Sequence, residues 1–448
     1  MPGHDGEVRT VRSSERPPAG TALPQRARIA VLAGRVTAMV SRLTRRGGGM
    51  TISGHVALWL DPALITHLTR GRPVVVVSGT NGKTTTTRFV AAGLRARHQV
   101  VTNDSGANLV SGVAAALLAS TDPRTCPAAL EVDEFALPAV LRATEASVVV
   151  LLNLSRDQLD RGSEVSAHVR RWATALAAAP TAVVVANADD PLVCAAVLGA
   201  RPDGTAVRWV ATGSRRGVDV PLCPRCQAAW ATPWPMWACG ACGLARPTPA
   251  WTAHEGRVTG PGGEDIAVQL ALPGQVNVAN AAMAAAACDV LSVPPSVTLA
   301  AASSVDEVAG RYLRTTYDGV GVRLLLGKNP AGWTEVLDLI EPGAGPVVLA
   351  VNAGVADGVD VSWLWDVPFE QLRGRRVVAT GERSEDLSVR LHYAGVEHER
   401  EVDPVRAAVR LGGADCEIVA NYTAFTQVRA RLRASHRPRT PYVTTAGR

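Results

Sequence analysis

Aromatic residues are scarce in this chain. Phe, Trp and Tyr make up 4% of its 448 residues, and alanine, valine and arginine dominate. No apolar run is long enough to cross a bilayer, which excludes a helical integral membrane protein. The first 25 residues hold Arg, Glu, Pro and Gly but no apolar stretch, so no secretory signal is expected, and residues 1–26 read as a disordered tail. Eight cysteines cannot make a disulfide scaffold of so long a chain; a reducing cytosol fits best. A net charge of +6 is mild and permits an anionic partner without demanding one. The 47% apolar content supports large cores, and the length suits two or three domains.

The chain is organised around residues 74–87. Four consecutive valines, Val74 to Val77, predict a buried parallel strand, which shows no polar alternation. Ser78 to Gly82 is a turn of small residues, and Lys83 opens a helix expected to run to about Arg97. Strand, glycine turn, lysine and hydroxyl residues make a phosphate cradle from Gly79, Thr80, Asn81, Gly82, Lys83, Thr84 and Thr85. Backbone N–H groups and the helix N-terminus attract the anion, Lys83 reaches the outer phosphates, and Thr84 can hold Mg²⁺. The loop is the compact GTNGKT form, because Val77 stands where the general pattern has glycine. The competing reading is an ordinary turn.

Upstream, residues 27–46 predict a helix with Ile29, Leu32, Val36, Met39, Val40 and Leu43 at helical spacing. Arg28, Arg35 and Arg42 recur on another face. Such a helix could lie on an anionic membrane; docking on the first domain, with the arginines solvated, is the favoured expectation. Residues 27–72 are therefore expected as an N-terminal helical segment. From residue 73 strands are expected at 74–78, 99–102, 128–132, 147–152, 182–186 and 206–211, with helices between most of them. This alternation implies an α/β fold with a mostly parallel, doubly wound sheet and ligands at the carboxyl ends of its strands. The pattern breaks at 223–242 and resumes near 269, with helices at 275–291 and 297–308. A second, Rossmann-like α/β domain is expected over 310–448, with strands at 322–326, 346–351, 376–380 and 416–420.

Cys223-Pro-Arg-Cys226 and Cys239-Gly-Ala-Cys242 form two CxxC knuckles separated by twelve residues. Each presents two thiolates from a tight turn, which tetrahedral Zn²⁺ requires, and four cysteines make a closed structural site. A zinc-ribbon insertion is expected at about 220–246. Trp230, Trp234 and Trp237 lie between the knuckles; they could stack on nucleic-acid bases, but a ribbon this small needs them for packing. Cys126, Cys194, Cys288 and Cys416 read as core residues.

Glu131-Val-Asp-Glu134 ends the third strand beside the cradle, and Glu131 and Glu134 are the candidate Mg²⁺ ligands; an acidic helix cap is the competing reading. Asn153 follows the next strand, Asn187-Ala-Asp-Asp-Pro191 another, and Asn277 and Asn280 share a helical face suited to adenine edges. Singly, each is equally a cap or a turn.

Together these motifs resemble the Mur ligase family, ATP-dependent amide-forming ligases of peptidoglycan synthesis. The loop at 79–86, the turn at 187–191 and the helix at 274–285 are of that type. EVDE at 131–134, RDQLDR at 156–161, the cysteine insertion, KNPAG at 328–332, ADGVDVSW at 356–363 and Tyr422-Thr423 narrow the resemblance to its MurT-type branch. It covers about residues 26–435. It implies a central ATP-binding domain at 73–309 and a C-terminal domain that contacts a glutaminase. Ordinary members carry His where Gln158 stands and a downstream lysine that is carbamylated; no lysine occurs between Lys83 and Lys328 here, so the second metal site of that family is not expected. The branch implies a GatD-like glutamine amidotransferase partner, with Asp360 as the acid that orients its catalytic histidine, or Asp357 as the neighbouring alternative. Asp360 as a plain helix cap is the third reading. Members activate a carboxylate as an acyl phosphate; here that is the D-glutamate α-carboxylate of lipid II, amidated by ammonia. Lys83, Glu134 and Asp360 are the catalytic candidates, and Arg311 is expected to reach the phosphates. Cofactors are ATP, Mg²⁺ and structural Zn²⁺, with no nucleic-acid partner. The place is cytoplasmic, with the inner membrane face as an open alternative. The rival readings are a stand-alone Mur or folylpolyglutamate-type amino-acid ligase and a nucleic-acid-binding ATPase, which the few basic residues of the ribbon disfavour.

Overall fold

The computed structural model describes residues 23–44, 50–103, 106–119, 126–155, 165–213, 220–305, 312–340, 345–354, 357–411 and 415–434. Residues 1–22 of the expected tail, Arg311 and Gln158 lie outside them, whereas Gln25 and Arg26, the last two residues of that tail, already belong to a helix. Three helices lead in: α1 (Gln25–Leu43), α2 (Met50–Leu60) and α3 (Leu64–Thr69). The first α/β unit then alternates β1 (Val74–Ser78), α4 (Lys83–Arg95), β2 (Val101–Thr102), α5 (Val110–Leu118), β3 (Ala128–Glu131), α6 (Leu137–Ala143), β4 (Val148–Leu151) and α7 (Val165–Ala177). It continues with β5 (Val183–Asn187), α8 (Pro191–Ala200), β6 (Val207–Ala211), β7 (Trp251–His254), β8 (Arg257–Thr259), β9 (Asp265–Ala267), α9 (Gln275–Val290) and α10 (Pro295–Ser303). The second unit holds β10 (Tyr312–Tyr317), β11 (Val320–Leu326), α11 (Pro330–Asp338), β12 (Val347–Ala350), β13 (Val377–Thr380) and α12 (Ser384–Tyr393). It closes with β14 (His398–Arg400), α13 (Pro404–Leu411), β15 (Cys416–Ala420) and α14 (Tyr422–Ala434).

The first sheet runs β2-β3-β1-β4-β5-β6-β7-β8-β9. Its strands from β2 to β7 are parallel, as the continuous valine runs of β1, β4 and β5 lead one to expect, and β1 is buried throughout. The chain steps from β1 outward to β2, returns through β3 and crosses to β4, so β1 is the switch point where a crevice opens. The alanine-rich α9 lies against α4 and the sheet; its small side chains are buried from Val278 to Cys288 and permit that close approach. The second sheet runs β10-β11-β15-β12-β13-β14, parallel except for β10. Both halves are thus α/β with mostly parallel sheets, as expected.

Three expectations need correction. β7 joins β6 in parallel, and β8 and β9 continue from it by antiparallel pairing, where no strand was expected. They are three or four residues long and lie at the sheet margin, so no valine run announces them. The lead-in segment is three helices rather than one. The third concerns α1. It docks on the domain, but through Ala27, Ala30, Gly34 and Ser41, and its large apolar residues face outward. Helical periodicity marks a stripe without telling which side is covered; here the small residues win the interior because α1 lies tight against α2. A Cβ on Gly34 would stand 3.2 Å from the Ala57 Cβ, and one on Gly54 of α2 would stand 1.8 Å from the Ser111 carbonyl oxygen of α5.

Gly54→Ala must therefore push α2 off α5. We expect a loss of about 2 kcal/mol in urea unfolding; an unchanged midpoint would contradict this packing.

Candidate active site

The loop after β1 is held by one residue of the neighbouring strand end. Asn153, just past β4, accepts from the Thr80 amide through its backbone carbonyl at 2.9 Å. Its side-chain oxygen accepts from the Asn81 amide at 2.9 Å, and its side-chain nitrogen donates to the Asn81 carbonyl at 3.0 Å. The Ser155 amide donates to the Thr80 hydroxyl at 3.0 Å. Gly82 has φ +81, a conformation costly for residues with a Cβ, and a Cβ there would lie 2.8 Å from Asn280 Oδ1. Lys83 begins α4 and is buried. Its ammonium donates to the Gly79 and Thr80 carbonyls and pairs with Glu134 at 3.0 Å. Thr84 is half-buried on the first turn, and Thr85 is buried.

β3 ends at Glu131, so Asp133 belongs to a turn and accepts from the Phe135 amide rather than capping α6. Glu131 and Glu134 are both buried. The Asn103 side chain bonds both the amide and the carbonyl of Glu131, at 2.8 and 2.7 Å. The Glu131 carboxylate accepts from Asn108 at 3.3 Å. Trp172 on α7 donates to the Glu134 carbonyl at 3.1 Å. One turn earlier, His168 packs edge-on against Phe135 with ring centroids 4.4 Å apart, and burial lowers its pKa.

A cleft between the two units is lined by Asn81, Gly82, Thr85, Asn277 and Asn280 on one side, and by Tyr312, Lys328, Gly332 and Glu335 on the other. Asn280 donates to Asn277 at 3.4 Å, so the two amides do share one face. Asn329 spans the units: its Oδ1 accepts from Asn81 Nδ2 at 3.1 Å and from the Gly332 amide at 2.9 Å, which caps α11. In the sequence Asn153 reads as a turn residue and Asn329 as part of a motif. Only the residue partners, 72 and 248 positions away, reveal their task.

The turn after β5 ties this site to the cysteine insertion. Asn187 donates to the Leu152 carbonyl at 2.9 Å, and Asp190 accepts from the Leu154 amide at 2.9 Å while capping α8. Asp189 accepts from the Thr212 and Gly213 amides at 2.7 and 2.9 Å and pairs with Arg246 at 2.7 Å. In the insertion the four thiol sulfurs lie within 4.8 Å of one another. Cys223 and Cys242 are 3.6 Å apart, and Cys226 and Cys239 are 3.5 Å apart. Those separations are too long for disulfides and close to the ~3.8 Å edge of a tetrahedron with zinc–sulfur bonds of about 2.3 Å. Amides of Cys242 and Ala241 hold the Cys239 thiol down at about 6, whereas burial pushes Cys223 up to about 12. A divalent cation is what would take the remaining protons off such a set. Trp237 is buried, Trp230 meets it edge-on at 5.4 Å, and Trp234 is partly buried, so the tryptophans form the ribbon's core.

In the second unit, Asp357 is buried and accepts from the Thr423 amide at 3.1 Å. Asp360 is exposed; it accepts from the Ser362 amide at 2.8 Å, which also holds its carboxyl below the usual range. The capping geometry is present, and the carboxylate is still open to solvent. Five residues further along the chain, Trp365 meets Tyr393 at a tilt with ring centroids 5.4 Å apart; both are exposed, and Arg390 lies over the Trp365 ring.

The Mur ligase middle-domain profile matches residues 77–213, and the MurT ligase C-terminal profile matches residues 326–425. The chain is 30% identical over 440 residues to the subunit MurT of lipid II isoglutaminyl synthase (glutamine-hydrolyzing) from Streptococcus pneumoniae, covering 90% of this chain and 96% of that one. The chain belongs to the MurT family. A second MurT subunit, from Staphylococcus aureus, is 26% identical over 86% of this chain and 93% of its own. Among solved structures, a pseudomurein peptide ligase type C from Methanothermus fervidus shares the fold with a TM-score of 0.66 at 17% identity, over 83% of this chain and 80% of that one. The MurT assignment thus spans both the phosphate loop and the Asp360 segment.

Gly82→Ala should strain the loop and displace Asn280. The expected result is a loss of nucleotide affinity of tenfold or more by calorimetry, with a stability cost of about 1–2 kcal/mol; wild-type affinity would show that Gly82 is not a close-approach position.

Proposed function

We propose that this chain is the ATP-dependent, amide-forming subunit of a two-chain lipid II isoglutaminyl synthase. One observation carries the two-chain reading. A glutaminase needs an accessible, activated nucleophile, commonly cysteine. Four of the eight cysteines here are gathered in the ribbon, and Cys126, Cys194, Cys288 and Cys416 are buried. Burial pushes Cys288 and Cys416 up to about 12 and Cys194 up as well. The nucleophile that frees ammonia from glutamine therefore belongs to a partner, a GatD-like amidotransferase.

In this reading ATP lies in the cleft, with its phosphates on Gly79–Thr85 and its base near Asn277 and Asn280. An oxygen of the D-glutamate α-carboxylate attacks the γ-phosphorus, ADP leaves, and an acyl phosphate results. Ammonia then attacks the acyl carbon, inorganic phosphate departs, and the amide is D-isoglutamine. Lys83 supplies a fixed positive charge to the phosphates, and Glu134 and two carbonyls hold its ammonium in place. Bound Mg²⁺ would supply further charge neutralisation at the phosphates. Thr84 and Glu131 fit it best, since Glu131 is a buried carboxylate with one side-chain amide as its partner, whereas Glu134 already serves Lys83. The cysteine set fits Zn²⁺, which would hold the ribbon that anchors Arg246 against Asp189. Residues 73–309 would form the ATP-binding domain and 310–448 the domain that meets the partner. Arg311 is retained as the residue reaching the phosphates from that boundary.

Asp360 is the carboxylate that would orient and polarise the partner's histidine, because Asp357 is committed to capping α14. The exposed pair Trp365 and Tyr393, on the element that follows Asp360 and on α12, would give the partner an aromatic anchor. Lipid II is membrane-anchored, so the work would take place at the cytoplasmic membrane face.

The test is amidation of lipid II by this chain with its candidate partner, followed by mass spectrometry. Lys83→Ala should lower the rate at least about a hundredfold with either glutamine or ammonium salt as nitrogen source. Asp360→Asn should abolish glutamine-driven amidation and leave ammonium-driven amidation intact. Equal losses from both sources would remove Asp360 from the glutaminase half, and amino-acid ligation by the isolated chain would overturn the reading. Separately, Cys239→Ser should remove zinc measured by mass spectrometry and lower the melting temperature; a chain that is zinc-free as purified would refute the ribbon site.

A further inference from the structure

The outward face of α1 has no task in the proposed chemistry. Ile29, Leu32, Val36, Met39, Val40 and Leu43 form one exposed stripe along the helix, reaching 75% exposure at Leu43. It lies opposite the small residues that dock α1. On α2, Ile52 and Trp59, two turns apart, are also exposed, Trp59 to 80%. Soluble surfaces rarely leave so many large apolar groups together uncovered.

The charges around the stripe say what covers it. Helical geometry sets Arg28, Arg35 and Arg42 along one flank of the stripe and Arg26 along the other. Neither α1 nor α2 contains an aspartate or glutamate. A second copy docking on this face would bring arginines against arginines with no carboxylate between them. Residues 1–22 contain only Met1, Val8 and Val11 as large apolar residues, too few to fill the stripe. An apolar face bordered by arginines, with a tryptophan close by in the same hairpin, has the character of a helix lying in the headgroup region of an anionic bilayer. Each basic residue near such a surface is worth roughly fivefold in partitioning, and the apolar side chains add insertion that salt does not screen. No helix among the described residues is long and apolar enough to cross a membrane, so the contact would be interfacial.

We infer that the outward face of α1 is a docking surface for an anionic lipid bilayer, with its apolar stripe in the acyl boundary and Arg28 and Arg42 among the phosphates, while Arg26 and Arg35 donate to the Leu60 and Leu118 carbonyls and tie the helix to the domain. This deepens the proposed function by assigning the surface that brings the cleft to a lipid-linked substrate, but it requires only the bilayer. Its test therefore uses vesicles without any such substrate.

The full chain is floated with vesicles of phosphatidylglycerol and phosphatidylcholine, and in parallel with phosphatidylcholine alone, at physiological ionic strength. Strong binding to the first and weak binding to the second is the expected result. Leu32→Glu with Val36→Glu should cut partitioning to the anionic vesicles at least tenfold while leaving ATP affinity unchanged. Leu43→Asp, at the most exposed position, serves as the second variant should the pair fail to fold. Arg28→Gln with Arg42→Gln should reduce binding to anionic vesicles about tenfold or more. Three outcomes overturn the proposal: no flotation with anionic vesicles, flotation indifferent to the glutamates, or a lipid-free dimer that Leu43→Asp dissolves, which would give the face to a second copy. Failed flotation with intact amidation would sink this inference alone, and the reverse would sink only the proposed function.

Discussion

The phosphate loop keeps its shape because Asn153 treats a loop as if it were another strand. Its carbonyl and both ends of its side-chain amide engage Thr80 and Asn81. A glycine-containing loop left alone samples many conformations, and ordering it costs entropy. Asn153 meets that cost in the folded state, before any anion arrives. Its own position is then fixed from behind, since the flanking Leu152 and Leu154 are bonded by Asn187 and Asp190. The same turn reaches the ribbon through Asp189 and Arg246. Seen this way the cysteine insertion is not an ornament on a distant loop. It is the outer end of a row of buried polar contacts whose inner end is the phosphate cradle.

Asn81 extends that row across the cleft to Asn329. The contact is a reciprocal pair of neutral hydrogen bonds between the two amides, at 3.1 and 3.3 Å, each of the kind worth about 1 kcal/mol net. It is strong enough to bias how the two units meet and weak enough to be exchanged when a ligand enters. The two catalytic halves of the proposed reaction sit at different places on this frame. One is buried at the switch point of the first sheet, and the other is an exposed aspartate of the second unit. Buried charge serves the phosphates, where the low dielectric strengthens it. The exposed carboxylate of Asp360 is one that a second chain could reach.

Much of this was legible in the sequence, for physical reasons that also explain the rest. Valine runs in β1, β4 and β5 announce parallel strands because both faces are covered. The cradle is legible because glycine, lysine and threonine at those offsets serve one geometry. The cysteine knuckles are legible because their spacing has few other uses. What stayed hidden depended on partners far along the chain. Asn153 and Asn329 look like turn residues until their bonds to Asn81 are seen. Asp357 and Asp360 are equivalent on paper, and burial against Thr423 separates them. The direction of the α1 stripe depends on how tightly Gly34 and Gly54 let the helices approach, which periodicity does not encode. Strands β7 to β9 are too short and too polar on one face to stand out.

Lys83 and Lys328 are the only lysines in the chain. One stands in the phosphate loop and the other lines the facing wall of the cleft. Every other cationic side chain is an arginine, whose guanidinium keeps its charge at any accessible pH and resists acylation. The protein has thus placed its two side-chain amines at one site, Lys83 buried behind the phosphate loop and Lys328 on the cleft wall. Apart from the chain's own α-amine, an amine-directed reagent has nowhere else to go. The pattern of its attachment, with and without nucleotide, would read out how that cleft is occupied.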